Sequence, residues 1–142
     1  MMSEFLMRGW NVAIPEVDIG DDIFVVQDAD GTLRRVQVKT AQAKIKKTGF
    51  SGQFNISVRN LRNITNILVH YVFIVRYQDT WTKPILIRQD YLLGFFENNH
   101  VGSQHNEAIT FYFSFSQEKI TCSGFDFTAY TCDYSDFPLI EH

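Results

Sequence analysis

The chain reads as a single α+β domain, strand-rich, with one mixed β-sheet flanked by helices. Three observations predict it. Runs such as DIFVVQ (22–27), LRRVQVKT (33–40) and ITFYFSFS (109–116) are rich in β-branched and aromatic residues or alternate with period two. One longer run, ILVHYVFIVRY (67–77), lacks a polar face and suits a central strand covered on both sides. Only two segments, 3–9 and 88–99, carry helix signals. At 142 residues, 45% of them hydrophobic, the chain suffices for one domain (1–142) with a real core.

The elements follow in order. SEFLMRG is a short helix, capped by Ser3 and stopped by Gly9. Trp10 to Ile14 is a short strand halted by Pro15, and Glu16 to Asp21 is a turn. Strands 22–27 and 33–40 form a hairpin around Asp28-Ala-Asp-Gly31. Alternation sets Val36 and Val38 on one face of the second strand and Arg35, Gln37 and Lys39 on the other. Residues 41–52 form a basic loop, 52–58 a strand and LRNITN a break. After the 67–77 strand come a turn at 79–81 and the strand KPILI. Helix 88–99 has Leu92, Leu93, Phe95 and Phe96 on its apolar side, with Gly94 weakening it. Residues 100–108 are a loop, Phe111, Phe113 and Phe115 share the core face of strand 109–116, and the tail to Ile140 is irregular. Trp81, Tyr91 and the phenylalanines belong to the core, and His70 is a satisfied core histidine.

No apolar run reaches ~18 residues, so no membrane span is expected, and MMSEFLMRGW lacks the pattern of a secretory signal. A cytoplasmic location follows, with Cys122 and Cys132 as free thiols. The net charge of −3 hides an asymmetry. From Arg34 to Arg62 there are eight basic residues and no acid. Arg35, Lys44, Lys46 and Lys47 are the candidates to touch nucleic-acid phosphates, the lysines because their loop leaves the strand that carries Gln37.

The hairpin register decides what meets Asp22. With Asp30-Gly31 as a two-residue turn, Asp22 lies opposite Lys39; with a loop of 28–31 it lies opposite Gln37; a three-residue loop places it opposite Val38. A carboxylate, an amide oxygen and an ammonium at one sheet edge suit metal-assisted phosphodiester hydrolysis. Mg²⁺ (or Mn²⁺) takes hard oxygen ligands: Asp22, the Gln37 amide, the backbone carbonyl of Val38 and, as an auxiliary, Asp18. Lys39 would orient a water or stabilise the charge that builds on phosphorus.

The order PEVD-x-GDD-IFVV, a DG turn, then VQVKT resembles the PD-(D/E)xK nuclease superfamily. It is closest to its intron homing endonuclease and resolvase-like bacterial families, with Gln37-Val38-Lys39 as a QxK variant of the motif. The likeness covers about residues 8–41. It implies a restriction-endonuclease-like core and a Mg²⁺-dependent endonuclease acting on DNA, with Asp22, Gln37 and Lys39 as catalytic residues and a possible homodimer. The family's first-helix glutamate would be Glu4. That helix is usually longer than the nine residues before Trp10, so Glu4 is either that ligand or a solvent-facing residue near the helix end. The alternative reading is a catalytically inactive nuclease-fold protein that binds nucleic acid or a protein partner; a third is an accessory protein with no nucleic-acid role. His100 and His105, five apart on a loop without a nearby cysteine, make a poor zinc site.

Overall fold

The structure, a computed structural model, describes residues 1–14 and 23–140, with only the backbone for 23–25. Helix α1 (Met2–Met7) is followed by strands β1 (Asn11–Ala13), β2 (Ile23–Gln27), β3 (Leu33–Gln42), β4 (Lys44–Lys46) and β5 (Gly49–Ser57). Helix α2 (Val58–Arg62) leads to β6 (Leu68–Tyr77), β7 (Thr80–Trp81) and β8 (Ile85–Arg88), then helix α3 (Gln89–Asn99). The chain ends with β9 (Ser103–His105), β10 (Ala108–Ser116), β11 (Lys119–Cys122), β12 (Phe125–Asp126) and a 3₁₀ turn at Thr128–Tyr130.

The α+β class holds, but the strands form two sheets rather than one. The first sheet runs β1-β2-β3-β6-β7, with β8 also paired to β6. Its β3–β6 pair is parallel and its other pairs are antiparallel. The second sheet, β12-β11-β10-β5-β4 with β9 on β10, is antiparallel throughout. A parallel pair needs a crossover. The β4–β5 hairpin and α2 supply it, so the connection from β3 to β6 itself begins the second sheet.

Two cores result. Odd-numbered residues of β6 (Tyr71, Phe73, Val75) face the second sheet, where Phe73 meets Phe54 and Phe113 at ring separations of 4.8 and 5.0 Å. Even-numbered Val72, with Val36 of β3, faces a smaller core closed by Phe5, Trp10, Tyr134 and Phe137. The double burial expected for 67–77 is therefore present.

Several local expectations are revised. Ser3 does not cap α1; its first turn closes by Glu4 N–H donating to the Met1 carbonyl, while Gly9 stops it with φ 87°. The basic loop 41–52 is ordered: β3 runs on to Gln42, and β4 and β5 form a hairpin around Lys47 and Thr48. Helix α2 takes the end of the strand expected over 52–58 and the start of the break LRNITN, and its N-cap Ser57 hydroxyl accepts from Asn60 N–H at 2.9 Å. Trp81 and Tyr91 are not core residues; they are 56% and 49% exposed, and the Arg88 guanidinium stacks on Tyr91. The irregular tail holds two short strands and a 3₁₀ turn, because β10 offers its free edge to β11.

The last residues seal the smaller core. Phe137 packs on the rings of Phe5, Trp10 and His70 at 4.8, 5.4 and 4.8 Å. His70 Nε2 meets Asp136 Oδ2 at 2.8 Å, Arg34 Nε donates to the Asp136 carbonyl, and Trp10 Nε1 donates to the Pro138 carbonyl. His70 is satisfied on one side only, since its buried Nδ1 has no partner among the described residues. Among those residues no helix is long and apolar enough to cross a membrane, which says nothing of strands.

Two outcomes test this seal. Phe137→Ala removes a fully buried ring and should cost about 3–5 kcal/mol in urea unfolding. Burial holds the His70 pKa below its ordinary value, with Asp136 pulling it up and Arg34 and Arg88 pushing it down. The unfolded chain therefore takes the proton first. Stability should be full above about pH 6.5 and fall as the pH drops toward the lower folded-state pKa. Urea midpoints at stepped pH should show that slope, and His70→Gln should flatten it.

Candidate active site

The hairpin carries the predicted site residues, and its register is the third of the three sequence alternatives. Ile23 pairs with Gln37 and Gln27 with Leu33, the register of a three-residue loop. Asp28 N–H donates to the Thr32 carbonyl and Gly31 N–H to the Asp28 carbonyl, closing the loop. The side chains of Asp28 and Asp30 accept backbone N–H groups of the turn. Hydrogen bonds from Asp28 and Thr32 bring the Asp30 carboxyl down to about 2. These two acids shape the turn. Asp18 and Asp22 lie outside the described residues.

The alternation expected on β3 is present. Val36 and Val38 pack into the smaller core, leaving Arg35, Gln37 and Lys39 to the opposite face. In the parallel ladder Gln37 pairs with Tyr71 and Lys39 with Phe73. Further along that face the second sheet covers β6 through Phe54 on Phe73 and Gly52 against Val75. Beside Arg35 and Gln37 the cover comes instead from α2 and the start of α3, and a cleft of about 220 Å³ remains. Arg35, Gln37 and Tyr71 line one side of it, Asn60, Asn63 and Gln89 the other. Gln37 is only 8% exposed, so its amide is held by its surroundings rather than by bulk water.

The helical wall is fixed by one side chain. Gln89 Nε2 donates to the carbonyls of Asn60, Leu61 and Asn63 at 2.8, 3.0 and 3.2 Å, so the first residue of α3 satisfies the C-terminal carbonyls of α2. Antiparallel ladders alternate the direction of their backbone groups. Because Asp28 N–H bonds to Thr32, even-numbered β3 residues point their backbone groups at β2. The Val38 carbonyl is thus aimed at the β2 edge, one position past Ile23.

Glu4 is not brought to this cluster. It pairs with Arg8 at 3.1 Å, on a helix whose Phe5 packs into the smaller core, across the sheet from Gln37. The basic candidates also separate. Arg35 is exposed at the cleft, whereas Lys44, Lys46 and Lys47 lie on the β4–β5 hairpin. Seven residues of extended chain from Gln37 to Lys44 span about 20 Å. They do not emerge beside Gln37, because 41–42 continue the strand rather than turning back. Lys46 Nζ instead donates to Ser114 Oγ on the outer side of the second sheet.

Among the described residues no three His, Cys, Asp or Glu side chains gather to hold a metal. Both cysteines are free, as expected; burial pushes the Cys122 thiol up to about 11, which removes it as a nucleophile. Sequence reading missed Asn60, Asn63, Tyr71 and Gln89. No short-range spacing marks them, since they reach the cleft from positions 23 to 52 residues beyond Gln37. No family model matches the chain, and no curated protein or solved structure is significantly similar to it.

Gln89→Leu keeps the volume and removes the donor from three carbonyls. It should cost about 1–3 kcal/mol in denaturant unfolding, because buried acceptors lose their partner.

Proposed function

We propose that this protein is a Mg²⁺-dependent endonuclease that hydrolyses phosphodiester bonds in DNA. The observation that carries the reading is the face of β3 that Arg35, Gln37 and Lys39 share: Arg35 and Gln37 line a small cleft, and the Val38 carbonyl turns toward the β2 side. Asp22, the Gln37 amide and the Val38 carbonyl would hold the metal, with Asp18 as an auxiliary. All are hard oxygen donors of the kind Mg²⁺ or Mn²⁺ accepts. The bound cation would polarise the phosphate and acidify a water. Lys39, two residues beyond Gln37 on the same face, would orient that water and offset charge on the transferring phosphoryl group. Arg35, exposed at the cleft, would position the backbone of the substrate without reading its sequence. A second copy would let both strands be cut, and the cytoplasm supplies both DNA and metal.

A second reading is a nuclease-fold protein that binds nucleic acid or a protein partner without cutting. Two observations favour it: an amide stands where a metal-binding carboxylate would add charge, and Glu4 is engaged by Arg8 across the sheet.

Plasmid nicking separates the two. The wild-type protein with Mg²⁺ or Mn²⁺ should nick supercoiled DNA, and Lys39→Ala should lower the rate by about 10²–10³. Asp22→Ala should abolish cleavage, and Gln37→Glu should lower the Mg²⁺ concentration needed. Absence of cleavage with retained, salt-sensitive DNA binding would establish the binding module; loss of both would sink both readings.

A further inference from the structure

A second cavity among the described residues is larger than the cleft beside Gln37. It has a volume of about 700 Å³ and lies where the two sheets open past the end of β6. About 20 Å of strand separates Tyr71, in the cleft, from Tyr77, in this cavity. Its volume falls in the range of about 300–1,000 Å³ usual for small-molecule sites.

Its chemistry is specific. Tyr77, Phe50 and Phe115 line it and form one continuous stack, with centroids 4.5 and 4.8 Å apart and planes within 14° and 9° of parallel. Two exposed lysines stand in its wall, Lys83 from the link between β7 and β8 and Lys119 from β11, with Glu118 as the single acid. Ser116 and Thr131 add hydroxyls, and the buried Thr131 Oγ1 finds no partner among the described residues.

The backbone around the opening is held in unusual conformations. Gln117 and Glu118, which turn β10 into β11, have φ of 41° and 66° without a glycine. Such turns ordinarily use Asn-Gly, so the side chains here are kept at a conformational cost. Gly49 sits at φ 116°, and a Cβ there would overlap the Phe115 carbonyl. The β4–β5 hairpin can therefore close against β10 only with glycine at this position, and that contact forms the wall beside Phe50.

We infer that this cavity is a binding site for a nucleoside monophosphate. Its flat aromatic stack takes the base, Lys83 and Lys119 take the phosphate, and the Ser116 and Thr131 hydroxyls face the sugar. Aromatic stacking accepts any base, so discrimination falls on the anionic group. The basic hairpin residues Lys46 and Lys47, next to Gly49 in the chain, add positive potential at the same end of the molecule.

The test is titration calorimetry of the full chain with AMP, adenosine and ribose 5-phosphate. AMP should bind saturably, and each of the two fragments at least about tenfold more weakly. The double variant Lys83→Ala/Lys119→Ala changes two exposed residues and should fold normally. It should weaken AMP by at least about tenfold and leave adenosine unchanged. Thr131→Val, nearly isosteric, should weaken AMP by less. No saturable binding of AMP, affinity for AMP no better than for adenosine, or an unchanged affinity in the lysine variant would each overturn the proposal. Binding of single-stranded DNA without AMP would overturn it too. None of these results bears on cleavage, because Gln37 and Lys39 do not line this cavity.

Discussion

The parallel pairing of β3 with β6 is the constraint on which the rest of the molecule depends. It joins nine residue pairs from Arg34–Leu68 to Gln42–Arg76. Both strands are buried on both faces near its middle, which shields the central hydrogen bonds of the ladder from water. Slipping β3 by one residue would turn Val36 and Val38 out of the smaller core and put residues such as Arg35 and Gln37 in their place. The buried area at stake makes that slip costly. The same register sets Gln37 beside Tyr71 and defines the floor of the cleft.

The crossover that parallel strands require does a second task. Residues between β3 and β6 fold into β4, β5 and α2, and these carry the other sheet and the helical wall of the cleft. The fold thus encloses its larger core with its own connection. The C-terminal segment plays the corresponding role on the other face, where Phe137 and the His70–Asp136 contact cover what α1 is too short to cover alone. Both ends of the chain are tied to this layer: Ile140 N–H donates to the Arg8 carbonyl.

Polar groups sort by the same geometry. Arg34 and Arg35 are neighbours in sequence and belong to opposite faces. Arg34 lies over Trp10 and Phe137 and holds the tail, whereas Arg35 stands at the cleft. The run of basic residues from Arg34 to Arg62 is therefore not one stripe. It divides among Arg34 in the tail contact, Arg35 at the cleft, Lys39 further along β3, the three lysines of the exposed hairpin, and Arg59 and Arg62 on α2, the latter paired with Glu97 of α3.

By itself the sequence determined the α+β class, the hairpin, the two faces of β3, the doubly buried β6 and the core role of Phe111 and Phe113. Each is a matter of period-two alternation, β-branched content or turn chemistry, which neighbouring residues settle among themselves. Only the tertiary structure decided that the strands divide into two sheets, that the hairpin pairs Ile23 with Gln37, that residues 44–57 form a second hairpin, and that Glu4 stands across the sheet from Gln37. It also decided which distant residues close the cleft and how Phe50, Tyr77 and Phe115 come to stack. Pattern tells a strand which face is apolar, but not which partner or which layer covers that face. That choice is made by burial summed over the whole chain.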